Sequence, residues 1–308
     1  MPRGGEPNTN GGMMKDFSGK LAVVTGGGSG MGRELARQLA SAGTDLAICD
    51  VSDDNMDVTA EMVRGEHPSV TITTHSCDVS SEPDVLRFRD EVLSQHDTDH
   101  VALLFNNAGL SGGGSMITDS REAWDRCFSI CWGGVYNCTR AFLPLLIAAP
   151  EAHLINTSSV NGFWASLGPD RPHTAYSTAK FAVRGFSEAL ITDLRCNAPH
   201  VKVSVVMPGH IGTSIVENSM KFGSHQELTA EETDAVMLVA KEFEEQAPMT
   251  AAEAAAVILD GVREEQWRIL VGDDARLIDA AVRTDPEMAY EGDGFFEVMN
   301  RIAETYAP

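Results

Sequence analysis

The chain lacks any run of some 18 apolar residues, and its opening stretch, MPRGGEPNTNGGMMKDF, lacks the apolar segment of a secretory signal. The first gap excludes a single helical membrane span, and the two together predict a cytoplasmic protein. There is no C-x-x-C pair, so 6 cysteines in 308 residues fit reduced thiols better than a disulfide framework. Positive charge is scarce. The 23 Lys and Arg stand against 45 Asp and Glu, a formal net charge of −22. Such a surface repels nucleic-acid phosphates and anionic lipid, which leaves a small molecule as the expected partner. No internal repeat is visible.

What is present is enough apolar material, 43% of residues, to fill a sizeable core. Residues 1–16, rich in Gly, Asn and Pro and without periodicity, read as a disordered tail, with Met13 or Met14 as an alternative start. From about Lys20, short β-branched or apolar runs alternate with longer helical patterns. KLAVVT, DLAIC, VTITTH, VALLF, HLINTS, VKVSVVM and RILVG predict seven strands. Helix-start signals lie between them: Ser81 before EPD, Thr229 with Glu232, and Thr250 with Glu253. This alternation predicts a single α/β domain over 17–272, a doubly wound parallel sheet with helices on both faces and ligands at the carboxyl ends of the strands. Residues 214–249 read as a helical lid, and the acidic segment 273–308 as a docked helical extension.

TGGGSGMG at 25–32 follows the first strand and opens the first helix. Glycine there lets the backbone turn tightly and approach a pyrophosphate, whose charge the helix amides and dipole would hold. The second strand ends in Asp50, 18 residues after Gly32, where a carboxylate can accept hydrogen bonds from an adenosine ribose. A ribose phosphate beside it would cost about 4 kcal/mol per charge pair at roughly 4 Å and an effective dielectric near 20. No Arg or Lys follows Asp50 to offset this, and Arg33 lies past the turn, so NAD is expected over NADP. Downstream, AYSTAK puts Tyr176 and Lys180 four apart, on one face of a helix. A free Tyr titrates near 10, and a neighbouring cation favours its phenolate; a shift of about two units takes roughly 2.7 kcal/mol.

Taken together, TGGGSGMG, CDVS, NNAG, a serine before YSTAK, and PGHIGTS occur in an order that resembles the short-chain dehydrogenase/reductase family, over roughly Lys20 to Gly272. The resemblance implies a Rossmann-type oxidoreductase. In it Tyr176 is the general acid/base, Lys180 holds the nicotinamide ribose and lowers the Tyr pKa, and Ser159 hydrogen-bonds the substrate oxygen. It also implies cofactor contacts from Gly26, Ser29, Gly30, Met31, Gly32 and Asp50, from Asp78 and Val79 at the adenine, and from Asn107, Ala108 and Gly109. Pro208, Gly209, Ile211 and Thr213 would grip the carboxamide and phosphates. Ser159 is chosen over Ser158 because it stands three before Gly162. The gap from Ser159 to Tyr176, 17 residues, exceeds the family's usual spacing, and the extra length carries Phe163 and Trp164. These either cap an apolar substrate or pack under the loop. With Ile215, Met220 and Phe222 they suggest a hydrophobic secondary alcohol or ketone. Family members usually form homodimers or homotetramers through the helices holding residue 131 and Tyr176.

CFSICWGGVYNC, residues 127–138, places Cys127, Cys131 and Cys138 on one helical face. A metal site would need a fourth ligand, and none is suggested, so no metal is expected; for Cys127 and Cys138 core packing is the favoured reading. Cys131 stands where the family's helix carries an Asn that helps hold a water on the proton relay. A thiol donates and accepts weakly. Either main-chain carbonyls near Gly133 and Gly134 hold the water, leaving a working enzyme, or the relay is impaired and the chain is an NAD-binding regulatory or scaffold protein. An NAD-using epimerase or dehydratase of the same fold is a third reading.

Overall fold

The computed structural model describes residues 14, 16–165, 171–223, 229–287, 290 and 300. The elements run β1 (Leu21–Thr25), α1 (Gly30–Ser41), β2 (Asp45–Asp50), α2 (Asp53–Glu66), β3 (Ile72–Ser76), α3 (Glu82–Gln95), β4 (Leu103–Asn106), α4 (Arg121–Phe128), α5 (Gly134–Ala148), β5 (Ala152–Thr157), α6 (Thr174–Asn197) and β6 (Val201–Pro208). They continue through β7 (Ile211–Gly212), α7 (Ile215–Gly223), α8 (Ala230–Glu245), β8 (Met249–Thr250), α9 (Ala251–Arg263), β9 (Arg268–Val271) and α10 (Asp273–Thr284).

All seven expected strands form one parallel sheet in the order β3-β2-β1-β4-β5-β6-β9. Its strands are near-continuous apolar runs because both faces are covered. On one face Leu35, Leu39, Met56, Val63 and Ile258 of α1, α2 and α9 pack against the sheet. On the other, Val85, Phe88, Phe142 and Leu190 of α3, α5 and α6 do so. The caps follow the sequence signals. Ser81 Oγ accepts from the Asp84 amide, and Thr250 and Glu253 form a reciprocal capping box. Thr229 directly precedes α8, as expected for its cap position.

Three expectations change. Met14, assigned to a disordered tail, is buried beside Phe17 in the core under α1 and α9; residues 1–13 and 15 lie outside the described residues. The two-residue strands β7 and β8 pair in parallel, Ile211 with Met249 and Gly212 with Thr250, and so pinch together the base of the excursion that carries α7 and α8. Phe163 and Trp164, 6% and 2% exposed, pack with Val205, Met207 and Ile278. They anchor α10 to the end of the sheet rather than lining a substrate pocket, because the helix after β9 offers them an apolar face. The enlarged loop beyond them, residues 166–170, lies outside the described residues, as does most of the segment after 287.

Candidate active site

The strand order reverses between β1 and β4, and the chain leaves these two strands in opposite directions. The crevice this opens at their carboxyl ends is where ligands of such sheets bind. A cleft of about 920 Å³, counting its solvent-open part, lies there. It is lined by Gly26, Ser29, Gly30 and Met31 from the glycine turn, Asp50, Asp78 and Val79 beyond β2 and β3, Asn107–Gly109 after β4, and Thr213, Ile215, Asn218 and Phe222 near α7.

The turn works as its glycines require. Gly26 has φ +67°, and a Cβ on it would sit 2.9 Å from Ala108 Cα. A Cβ on Gly32 would stand 2.0 Å from the Gly26 carbonyl oxygen, so only glycine lets α1 begin this close to β1. Ser29, the N-cap of α1, gives no capping bond to the helix, and the first turn holds no acidic residue. The positive end of α1 therefore faces the cleft without a side-chain cap.

Asp50 Oδ2 accepts from the Gly28 amide at 3.0 Å and Oδ1 from the Ser52 amide at 3.2 Å. Burial raises its pKa, and these backbone bonds offset part of the rise. Arg33 folds back toward this corner. Its Nε donates to Thr59 Oγ1 at 3.0 Å, and Nη2 donates to the Gly28 and Asn55 carbonyls. Arg33 is thus nearer Asp50 than its place past the turn implies, and it favours the ionised carboxylate.

Asp78 accepts from the Ser80 amide and hydroxyl through Oδ1 and pairs with Arg126 of α4 through Oδ2 at 2.7 Å. Burial pushes its pKa up, but these partners outweigh burial and hold it below the usual carboxylate range. Asn107 donates from Nδ2 to the Thr25 carbonyl, while its buried Oδ1 has no hydrogen-bond partner among the described residues. An open helix terminus, a glycine cradle and an orphaned amide oxygen in one cleft fit a dinucleotide. Val79 packs on Gly134, where a Cβ would meet Val79 Cγ2 at 2.6 Å.

Pro208, Gly209 and Ile211 do not line the cleft. Pro208 pairs with Val271, and Ile211 is buried in the core, 4% exposed, since its strand β7 is tied to β8. Thr213 reaches the cleft directly over Gly30. Along α7, positions 215, 218 and 222 face inward at helical spacing; Met220, two residues beyond 218, falls outside the lining.

Behind Gly109, which lines the cleft and on which a Cβ would lie 3.4 Å from Lys180 Nζ, the end of β5 and the start of α6 bring Ser159, Tyr176 and Lys180 together. Ser159 Oγ accepts from the Asn161 amide at 3.1 Å and lies close enough to Tyr176 to favour its phenolate, while Ser158 is buried and donates to the Lys180 carbonyl, a packing role. Lys180, 3% exposed, donates from Nζ to the Thr157 carbonyl at 3.0 Å and lies 5.4 Å from the Tyr176 ring centroid. Burial nevertheless pushes the Tyr176 pKa up, with Cys131 adding to the rise and Ser159 opposing it. Desolvation of the phenolate thus opposes the depression expected from Lys180 and a bound nicotinamide. The His173 ring packs 4.7 Å from that of Tyr176, and burial lowers its pKa to about 4, so His173 is neutral there near pH 7.

Cys131 sits in a π-helical turn, residues 129–133, between α4 and α5. Its thiol donates to the Leu110 carbonyl at 3.1 Å. Cys127 one turn earlier and the Lys180 ammonium pull its pKa down, against the penalty of burial. A Cβ on Gly109 would lie 3.4 Å from Lys180 Nζ and 3.7 Å from Cys131 Sγ, so the thiol and ammonium flank one glycine. Cys127 and Cys138 are core residues, 0% and 1% exposed. Among the described residues no group of three or more His, Cys, Asp or Glu side chains could hold a metal ion, and no helix is long and apolar enough to cross a membrane.

The short chain dehydrogenase family model matches residues 20–223, and the chain belongs to that family of Rossmann-fold oxidoreductases. A Mycobacterium tuberculosis protein described as an oxidoreductase, SadH, is 34% identical over 88% of this chain and 92% of its own. A short chain dehydrogenase/reductase from Burkholderia phymatum, solved in complex with NAD, is 28% identical with a TM-score of 0.77, covering 90% of this chain and 98% of that one. A metagenomic short-chain oxidoreductase solved with NADP is 27% identical with a TM-score of 0.56, covering 76% of this chain and 96% of its own. Relatives of this fold therefore bind either dinucleotide.

Arg126 and Asn218 in the cleft, Arg33 beside its Asp50 corner and His173 against Tyr176 were not singled out from sequence as site residues. Each reaches the site through tertiary packing rather than through a motif. The one available signal was the scarcity of positive charge, which makes any Lys or Arg beside a glycine turn worth tracing.

Proposed function

We propose that the chain is an NAD-linked dehydrogenase/reductase acting on a secondary alcohol or ketone, with Tyr176 as general acid/base. The observation that carries this reading is the convergence of Ser159, Tyr176 and Lys180 beside Gly109 of a cleft suited to a dinucleotide. When bound, the nicotinamide would supply or accept the hydride. The chain's own part is proton transfer and orientation. Ser159 holds the substrate oxygen, and Tyr176, kept neutral by burial, is prepared to protonate an alkoxide as a carbonyl is reduced. In the oxidative direction Tyr176 must first lose its proton, and Lys180 is the group placed to stabilise the phenolate.

Asp50 at the ribose corner favours NAD over NADP, although Arg33 tempers the electrostatic penalty. Ile215 and Phe222, with Leu110 and Ile130, give the cleft an apolar wall and support a hydrophobic substrate now that Phe163 and Trp164 are committed to the core. The half-exposed Tyr136 of α5 and Phe181 of α6 support assembly of identical chains through these helices. Five buried, unbridged cysteines support action in the reducing cytoplasm.

A panel of secondary alcohols and ketones, followed by NADH absorbance with NADPH in parallel, tests this reading. Turnover with NAD(H) that depends on Tyr176 is expected. The second reading, a dinucleotide-binding regulatory protein, is favoured by Cys131 at the relay position. It gains if NADH binds tightly and no substrate consumes it.

A further inference from the structure

The phosphate end of the cleft has no free cation among its lining residues. Among the lining residues Arg126 is the one Lys or Arg, and it is bound to Asp78 near the expected adenine end. Any pyrophosphate there must be held by neutral donors: the open first turn of α1, Ser29, Thr213, and whatever α7 presents. α7 crosses the cleft and is pinned on both banks. Asn218 Nδ2 donates to Ser29 Oγ at 3.0 Å on the glycine-turn side, and the Ser111 amide donates to Ser219 Oγ at 2.7 Å on the β4 side. A side-chain amide has two N–H groups, and the bond to Ser29 uses one. The other remains for a ligand at the N-terminus of α1.

We propose that Asn218 is a cofactor-binding residue carried on α7, donating its second amide N–H to the pyrophosphate of the dinucleotide while Ser29 holds the side chain in position. This rests on the reading of the cleft as a dinucleotide site. It makes α7 part of the phosphate cradle.

The test is binding, not turnover. NADH affinity is measured by fluorescence, and ADP and adenosine affinities by displacement of NADH, for the wild type, Asn218→Ala, Asn218→Asp and the tether control Ser219→Ala. Thermal melting checks that each variant folds. Asn218→Ala is expected to weaken NADH and ADP about tenfold and leave adenosine within about twofold, since a hydrogen bond to a charged group is lost. Asn218→Asp sets a carboxylate against the phosphates and should weaken both by about a hundredfold, less so at high salt. Ser219→Ala should affect ADP and adenosine alike. If Asn218→Asp is no worse than Asn218→Ala, or if either weakens adenosine as much as ADP, Asn218 is a lid peg and the proposal fails while the cleft reading stands. If the wild type binds neither NADH nor ADP, both fall together.

Discussion

His153 offers a quantitative test of how dry the centre of the sheet is. It lies on β5, 0% exposed, with Nε2 2.7 Å from Ser204 Oγ and with Nδ1 lacking a partner among the described residues. Ser204 Oγ itself donates to the Gln266 carbonyl, so the His must donate from Nε2 and keep Nδ1 unprotonated. Burial lowers its pKa to about 3, with Lys202 a lesser cause. The depressed folded-state value fixes the sign. Above the unfolded value of about 6.5 both states are neutral and His153 costs nothing in this respect. As pH falls below 6.5 the unfolded chain binds a proton that the folded chain refuses, so stability declines until pH approaches the folded value. Between pH 7 and pH 5 this single residue should account for about 2 kcal/mol of lost stability. His153→Leu removes the titrating group and leaves Ser204 its bond to Gln266. Urea unfolding of both proteins at pH 7 and pH 5 gives the difference of differences, in which the other buried histidines cancel. Wild type should lose about 2 kcal/mol more than the variant. Parallel losses would refute the claim that His153 stays neutral in the folded state.

Other residues carry sharper local expectations. Cys131→Asn restores the family's residue beside Lys180 and should change steady-state turnover at most modestly, about threefold; a loss as large as that of a Tyr176 variant would mean the thiol position is not tolerant. Asp274→Ala removes the acceptor of the His210 and Ala275 amides and should cost about 2 kcal/mol in urea unfolding and raise the KM for NADH, because those bonds fix the loop before Thr213. Trp164→Ala should cost about 3 kcal/mol and make the segment around α10 newly sensitive to protease, with KM for substrate nearly unchanged; a rise in KM alone would return Trp164 to the substrate site.

The strands were legible because parallel strands covered on both faces leave an apolar signature in the chain, and the caps because a side chain three residues from its amide partner is a local event. The glycine turn and the spacing of Tyr176 and Lys180 are local in the same way. What escaped the sequence is long-range. β7 and β8 are two residues each, too short for any period, and exist because residues 38 apart are brought together. Met14 looked like tail because a stretch rich in Gly, Asn and Pro without periodicity precedes it, yet a pocket beside Phe17 receives it. Phe163 and Trp164 could not be assigned between substrate and core without knowing that α10 returns to them. The effect of burial on Tyr176 escaped for a comparable reason. The Lys charge is visible in the sequence, but the desolvation that opposes it depends on the whole surrounding packing.

The central claim is that Tyr176 moves the proton while the rest of the site binds and orients. Single-turnover oxidation of NADH by the best ketone of the panel tests it most directly, with wild type and Tyr176→Phe compared at saturating cofactor. The account predicts that the rate falls about a thousandfold while NADH affinity stays within about threefold. A Tyr176→Phe enzyme that retains more than about a tenth of the wild-type rate would contradict it.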